Sequence, residues 1–302
     1  MSGKTTELNA AYRHCRFVAK ARAKNFYFAF LALPRAKRDA ICAVYAFMRT
    51  ADDIADAPGY SASERTATMQ EWLSAWKNVE AGATTSDPVF LALRDSQHEF
   101  GISSQWLDQL VEGTTLDLSA DNATYQTFED LYRYCYLVAS VVGLVCIRIF
   151  GYNDRRAEKL AEQTGVAFQL TNILRDVAED ASMGRVYLPE LELREAGLSG
   201  ERLMRGQPED TAALKRVLAS LAARAETFYE SAEQLVPLIH ADSRPALRVL
   251  VRIYHRLLRR IEASDFNVFA EKVKVPLHEK LAILALGLGS TLRQKVFAAG
   301  AR

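Results

Sequence analysis

Apolar residues recur every three to four positions along nearly the whole 302-residue chain, and no stretch shows sustained period-two alternation rich in β-branched residues. That pattern predicts an all-α fold. Helices are expected over roughly 7–24, 36–56, 62–82, 86–99, 103–117, 127–151, 154–181, 189–196, 209–239, 242–264 and 276–298. Pro34, Pro58-Gly59, Pro88, Gly101, Gly151, Gly184 and Leu198-Ser199-Gly200 fall between the periodic segments as breaks. With no composition shift and no low-complexity linker, one domain spanning 1–302 is the simplest organisation.

Two of these helices carry acids on one face. At 3.6 residues per turn, Tyr45 aligns with Arg49, Asp52 and Asp56 of RTADDIAD, and Gln169 aligns with Asn172, Asp176 and Asp180 of NILRDVAED. Like charges at i,i+4 destabilise a helix by roughly 0.2–0.5 kcal/mol per pair. Asp52/Asp56 and Asp176/Asp180 both bear that cost among apolar neighbours, which predicts cations between them. Carboxylate and amide oxygens suit Mg²⁺, which keeps part of its shell for water and substrate phosphate. Arg49 and Arg175 stand within a turn of the acids, suited to grip phosphate oxygens through the guanidinium fork. The two faces therefore point to facing helices that share a metal-bound pyrophosphate. A single such cluster is more often a solvated helix face; the pairing of two reverses that reading.

Composition narrows the function further. A net charge of +1 and a pI near 7.7 exclude the strongly basic footprint of a nucleic-acid binder. Cys15, Cys42, Cys135 and Cys146 are scattered without metal-ligand spacing, so neither a zinc site nor a disulfide framework is expected, and a reducing cytoplasm suits them. The N-terminus lacks the apolar core of a signal peptide. The longest apolar run, Leu137 to Ile147, is shorter than the ~20 residues of a membrane span and reads as a buried helix. Peripheral membrane contact through a long-tailed substrate or product stays open. Loops at Ala57–Ser63 and Ala181–Pro189 follow the two acidic helices, where a lid would exclude water, and the second supplies Arg185 and Tyr187.

Five segments carry a resemblance to the squalene/phytoene synthase family of head-to-head prenyltransferases: AKNF (Ala23 to Phe26), Leu33 to Asp56, YCYLVASVVG (Tyr134 to Gly143), FQLTNILRDVAEDASMGRVYLP (Phe168 to Pro189) and Ile253 to Val275. The fourth is the most specific. The resemblance implies a single isoprenoid-synthase helical bundle around a central cavity that binds two allylic prenyl diphosphates. It further implies Mg²⁺, with Mn²⁺ as the alternative ion. Asp52 and Asp56, with Asp53 completing the motif, are implied ligands of the first metal group, and Asn172, Asp176 and Asp180 of the second. Tyr45, Arg49, Gln169, Arg175 and Tyr254 are implied diphosphate contacts, Lys24 and Asn25 form a phosphate-binding turn, and Tyr134 stands near the reacting carbons. The sequence departs from the family's pattern at Asn25, where Ser or Thr is common, and at Ser140, where Gly is common.

The implied chemistry is ionisation of an allylic carbon–oxygen bond, with apolar walls shielding the cation from water. Phe26, Phe30, Tyr134, Val138, Val142 and Phe168 are the candidate walls. The resemblance implies a first half-reaction to a cyclopropylcarbinyl diphosphate, at which some members stop and which others rearrange to a 1′–1 product quenched by proton loss, hydride or water. The glycines of LGLGST follow no strand, so nothing supports an NADPH site. Chain-length cues conflict. A bulky Phe30 favours farnesyl tails, whereas a small Cys42 leaves room for geranylgeranyl tails. A head-to-tail synthase would carry a second DDxxD, and a terpene cyclase would lack GRxYLP. A helical metal-binding or interaction module would show Glu-x-x-His pairs, which none of the five histidines forms.

Overall fold

A computed structural model describes residues 5–119, 124–206, 211–269 and 272–287; the side chains of Lys24, Asn25 and 117–119 lie outside the described residues. Local sequence signals set most helix starts. Thr5 caps α1 (Thr6–Arg22) by accepting from the Leu8 amide, and Ser61 with Glu64 forms a reciprocal capping box at α4 (Ala62–Glu80). Asp87 caps α5 (Pro88–Phe100), which opens on Pro88 and ends at Gly101 in the left-handed region. Between them lie α2 (Lys24–Phe30) and α3 (Arg35–Ala55). The chain continues through α6 (Ser104–Ser119), α7 (Phe128–Cys135), α8 (Val141–Phe150), α9 (Arg156–Ser182), α10 (Glu190–Glu195), α11 (Gly200–Met204), α12 (Thr211–Leu235) and α13 (Arg244–Ala263). A last helix, α14, covers 277–287, and the rest of the helix expected to 298 lies outside the described residues.

Three elements differ from the sequence expectation. Residues expected as one helix to position 24 divide at Ala23, after which KNFYFAF forms the separate α2. No glycine or proline marks that break, and α2 lacks a side-chain cap, so its packing against α13 holds it. The short α11 was hidden within a segment rich in turn residues. The expected helix over 127–151 is continuous, but Tyr136–Ser140 between α7 and α8 is a π-helical turn. Among the described residues no strand forms, only two isolated bridges.

Buried side chains from α1 to α13 make one contiguous core. Phe47 packs on Trp72, Trp76 and Phe90 with ring centroids 4.6, 5.4 and 6.4 Å away, so α4 and α5 grip the outer side of α3. Meanwhile α9 packs along α12 and against α8 and the π-turn. Helices α3 and α9 are thus each held from outside, and a cavity lies between them. Its far end is tied shut by Lys37, whose ammonium donates to the Phe150 carbonyl (2.7 Å), Asp242 (2.7 Å) and the Ser243 hydroxyl (3.0 Å), joining the start of α3 to the end of α8 and the start of α13.

The 23-residue helix Phe128–Phe150 is long and apolar enough, by composition, to cross a membrane, which corrects the expectation that its apolar run falls short. Half of that apolar window is buried, and contacts with α6 and α9 account for it. Gly165 makes the closest of these contacts: a Cβ there would stand 2.6 Å from Ser140 Cα and 2.8 Å from the Ala139 carbonyl oxygen. Ser140 itself is fully buried and donates to the Glu162 carbonyl at 2.6 Å, so its hydroxyl points to the α9 backbone and away from the cavity. Because both atoms facing Gly165 are backbone, the crossing cannot relax cheaply. Gly165→Ala should therefore destabilise the protein by about 1–3 kcal/mol, read as a lower urea midpoint with an unchanged m-value. An unchanged midpoint would contradict this account of the crossing.

Candidate active site

The cavity encloses about 400 Å³. Tyr45, Met48 and Asp52 of α3 line one side; Phe168, Gln169, Asn172 and Arg175 of α9 line the other; Phe26, Phe30 and Tyr254 come from α2 and α13. Its polar groups gather at one end. Asp52 and Asn172 mark that end, whereas Ile41 and Ala161 line the opposite one. Each pair is eleven residues apart on its helix, so the apolar part runs about 16 Å at 1.5 Å per residue. Between them the wall is made of Val138, Ala139, Val142, Gly143, Cys146 and Phe150, with Thr164 as a polar interruption whose hydroxyl donates to the Leu160 carbonyl. Tyr254 is stacked on Phe168 (4.5 Å) and tilted on Phe26 (5.4 Å), and burial pushes its phenol up to about 12 despite opposing help from Arg175 and Asn172.

At the polar end, the carboxylates are held by cations of the protein itself. Arg175 pairs with Asp176, Nε to Oδ1 at 2.8 Å, and Lys272 reaches Asp176 at 2.8 Å and also Glu179. Burial works to raise the Asp176 pKa, but these partners outweigh it and hold the carboxyl below its ordinary range. Asp180 fares differently. Burial first, and then the charges of Asp176 and Glu179, push it up to about 7, against the pull of Arg185 and Lys272. On the opposite helix Arg49 pairs with Asp53.

The structure brings together Tyr45, Asp52, Gln169, Asn172, Arg175, Phe26 and Tyr254 from the sequence-derived set. It does not bring all of them into the cavity wall. Asp53 sits 100° around α3 from Asp52, exposed and paired with Arg49, and Asp56 is the exposed C-cap where the helix ends. Asp176 and Asp180 continue the α9 row past Arg175 towards the loop bearing Arg185, which lines a small crevice with Asp180. Tyr134 is buried but leaves the expected wall: its ring stacks on Tyr187 (4.9 Å) and leans on Tyr125 (5.2 Å), while Phe26, Phe30, Val138, Val142 and Phe168 do line the cavity. Cys42, expected at the floor, is packed in the core instead and lines no part of it. Sequence reasoning missed Lys272 and Arg22, the latter lining the cavity from the end of α1. Lys272 lay within the matched segment Ile253 to Val275, but its partner is about a hundred residues away in the chain. The side chains of Lys24 and Asn25 lie outside the described residues.

The donor set fits a divalent cation. The Oδ1 of Asn172 is buried without a hydrogen-bond partner, while its amide nitrogen donates to Gln169 Oε1 at 3.3 Å. A buried amide oxygen with no partner, at the polar end of the cavity and one helical turn from the Asp176 carboxylate, is the kind of donor a hard divalent cation takes. Among the described residues no three His, Cys, Asp or Glu side chains converge into a ready cage. Arg175 and Lys272 explain this at Asp176, since each occupies an oxygen that a cage would need.

Residues 19–279 match the description squalene/phytoene synthase. The chain belongs to that family. It is 37% identical to the chloroplastic phytoene synthase of Narcissus pseudonarcissus, over 94% of this chain and 67% of the relative. To the 15-cis-phytoene synthase of Synechococcus elongatus it is 33% identical, over 93% of both chains. A dehydrosqualene synthase solved with a ligand superposes with a TM-score of 0.84 at 31% identity, covering 95% of this chain and 98% of that one. A squalene synthase from Alicyclobacillus acidocaldarius follows at 0.79 and 26%, covering 87% and 97%. As a squalene/phytoene synthase family member the chain is a prenyltransferase acting on prenyl diphosphates head to head, and the terpene-cyclase, head-to-tail and non-enzyme alternatives are not favoured.

The raised carboxyl of Asp180 has a measurable consequence in metal-free protein. Its folded pKa, about 7, exceeds the ordinary value near 3.9 of the unfolded chain. From about pH 4 to 7 the unfolded state therefore gives up a proton that the folded state keeps, and stability falls as pH rises, by at most about 1.4 kcal/mol per unit from this group. In EDTA, Asp180→Asn should flatten the decline in melting temperature between pH 4.5 and 7. A variant with the wild-type slope would refute the assignment.

Proposed function

We propose that this chain joins two molecules of geranylgeranyl diphosphate head to head to give phytoene, with one diphosphate and one proton lost in each half-reaction. The observation that carries this reading is the polar end formed by Asp52, Gln169, Asn172 and Arg175 on an apolar cavity about 16 Å deep. A diphosphate belongs at the first part and an isoprenoid tail at the second. The phytoene synthase relatives from Narcissus pseudonarcissus and Synechococcus elongatus support the twenty-carbon substrate.

In this reading Asp52 and Asp56 serve the first metal group, with Asp53 beside them and turned to Arg49, and Asn172, Asp176 and Asp180 serve the second. Bound Mg²⁺, or Mn²⁺, supplies the Lewis acidity that makes diphosphate a competent leaving group. Arg175, Arg49 and Arg185 take diphosphate oxygens, joined by the phosphate-binding turn of Lys24 and Asn25. Substrate phosphate would compete with Asp176 for Arg175, and Asp176 would then be one of the residues that hold the cation. Tyr45, Gln169 and Tyr254 orient the diphosphate by hydrogen bonding, and Tyr134, stacked on Tyr187, keeps the place near the reacting carbons that the family resemblance implies. Phe26, Phe168 and Tyr254 line the cavity with packed aromatic rings that exclude water. Proton loss needs no hydride donor, so NADPH has no part.

A second reading takes farnesyl diphosphate and gives dehydrosqualene. Phe30 favours it, because its ring stands in the cavity wall edge-on to Tyr45 at 6.3 Å and occupies space a longer tail would use. Purified protein incubated with each diphosphate, with and without Mg²⁺ and NADPH, separates the readings when the hydrocarbon is identified by mass. The expected result is phytoene, dependent on Mg²⁺ and indifferent to NADPH. Asp52→Asn and Asp176→Asn should each lower turnover by about a hundredfold or more with helical content nearly unchanged, Asp176→Asn also lowering the melting temperature because Arg175 and Lys272 lose their partner. Near-normal rates in either would end the metal-ligand assignment. Phe30→Ala should raise the turnover ratio of geranylgeranyl to farnesyl diphosphate about tenfold, and an unchanged ratio would remove Phe30 as a length gauge.

A further inference from the structure

The far end of the cavity is closed by a buried charge as well as by packing. A Cβ on Gly143 of α8 would stand 3.0 Å from the Ala161 carbonyl oxygen, so these two residues mark one level of the wall. Phe150 follows seven residues later on α8, about 10 Å beyond that level, and still lines the cavity. Aromatic side chains on a helix lean toward its N-terminus, which for Phe150 is back toward Gly143. Its ring therefore stands across the end of the apolar space.

Phe150 is also the last residue of α8, where the carbonyl has no partner within the helix. Two donors from other elements take it instead: the Lys37 ammonium of α3 at 2.7 Å, and the fully buried Ser243 hydroxyl ahead of α13 at 3.1 Å. Lys37 is fixed in turn by Asp242 at 2.7 Å and Ser243 at 3.0 Å. The next residue is pinned too. Gly151 adopts φ +80°, its carbonyl accepts from the His240 amide at 2.8 Å, and a Cβ there would collide with the His240 ring. A side chain held only by packing can turn aside for a longer ligand, whereas Phe150 can retreat only by breaking charge-assisted hydrogen bonds at its own backbone. Lys37 stands one turn, about 6 Å, before the wall residue Ile41, and one isoprene unit is about that long. A tail that outgrew the level of Ile41 by one unit would run into this corner.

We propose that Phe150 is the stop that limits tail length, and that Lys37 is a positioning residue that holds the stop in place from across the α3–α8–α13 corner. This role rests on the function proposed above, which puts a prenyl tail in the cavity. The test compares wild type, Phe150→Ala, Lys37→Met and Lys37→Arg on farnesyl, geranylgeranyl and the longer geranylfarnesyl diphosphate, by turnover and by calorimetric affinity for their unreactive thiolo analogues. Wild type should disfavour the longest tail. Phe150→Ala should raise its affinity and kcat/KM relative to geranylgeranyl diphosphate at least about tenfold. Lys37→Met should move the same ratio in the same direction, through KM more than kcat, while Lys37→Arg, which keeps the donors, should restore the wild-type ratio. A merely structural role for Lys37 would weaken all three tails alike. Phe150→Leu, which removes less volume, repeats the measurement if Phe150→Ala does not fold. The proposal is overturned by a wild type that takes the two longer tails equally, or by a ratio that Lys37→Met or the folded Phe150 variant leaves where it was. Tail affinities that follow the expected order without turnover of any substrate would instead sink the proposed function and leave the stop standing.

Discussion

The structure depends on keeping two acidic helix faces apart around an apolar space. Helices α3 and α9 bring Asp52 and the Asn172–Asp180 row to the same end of a cavity that has no core of its own to hold it open. Hydrophobic collapse would close it and drive the carboxylates together in a poorly solvated place. Packing from outside prevents that. The aromatic group of Phe47, Trp72, Trp76 and Phe90 secures α3, α12 secures α9, and Lys37 ties the far end. Stability is spent on the periphery so that the centre stays available for a ligand.

The same constraint accounts for the arrangement of cations. Among the carboxylates of the two acid rows, Asp53 and Asp176 pair with an arginine or lysine, and Asp180 resists ionisation. Arg175 and Lys272 hold the place of missing positive charge. In the function proposed, a ligand that brings its own cation and its own phosphates would exchange partners with those pairs. Binding is then a rearrangement of ion pairs among groups already in position, which suits a reaction in which charge builds on a leaving diphosphate.

The walls follow a different logic. Small residues, Ala139, Gly143, Ala161 and Gly165, sit where the helix through the π-turn and α9 approach closely, and larger ones line the rest of the wall: Phe30 from α2, Phe150 from α8 and Phe168 from α9. Close backbone approach on one side creates the width that the aromatic residues then shape. The π-turn adds a residue within an otherwise continuous helix, turning Tyr134 toward Tyr187 while Val138 and Val142 keep to the cavity.

The helical class, most helix boundaries and the two acid rows are determined by the sequence alone, because they arise from contacts within a few turns of one helix: apolar spacing, capping residues and i,i+4 repetition. The matched motifs fix the family for the same local reason. Tertiary structure alone decided which members of each row face inward. Asp52 lines the cavity and Asp53 does not, and Cys42 joins the core while Phe30 joins the wall, because those outcomes depend on the angle at which whole helices meet. Lys272 reached Asp176, and α2 formed against α13, through contacts between distant parts of the chain that leave no periodic trace in it.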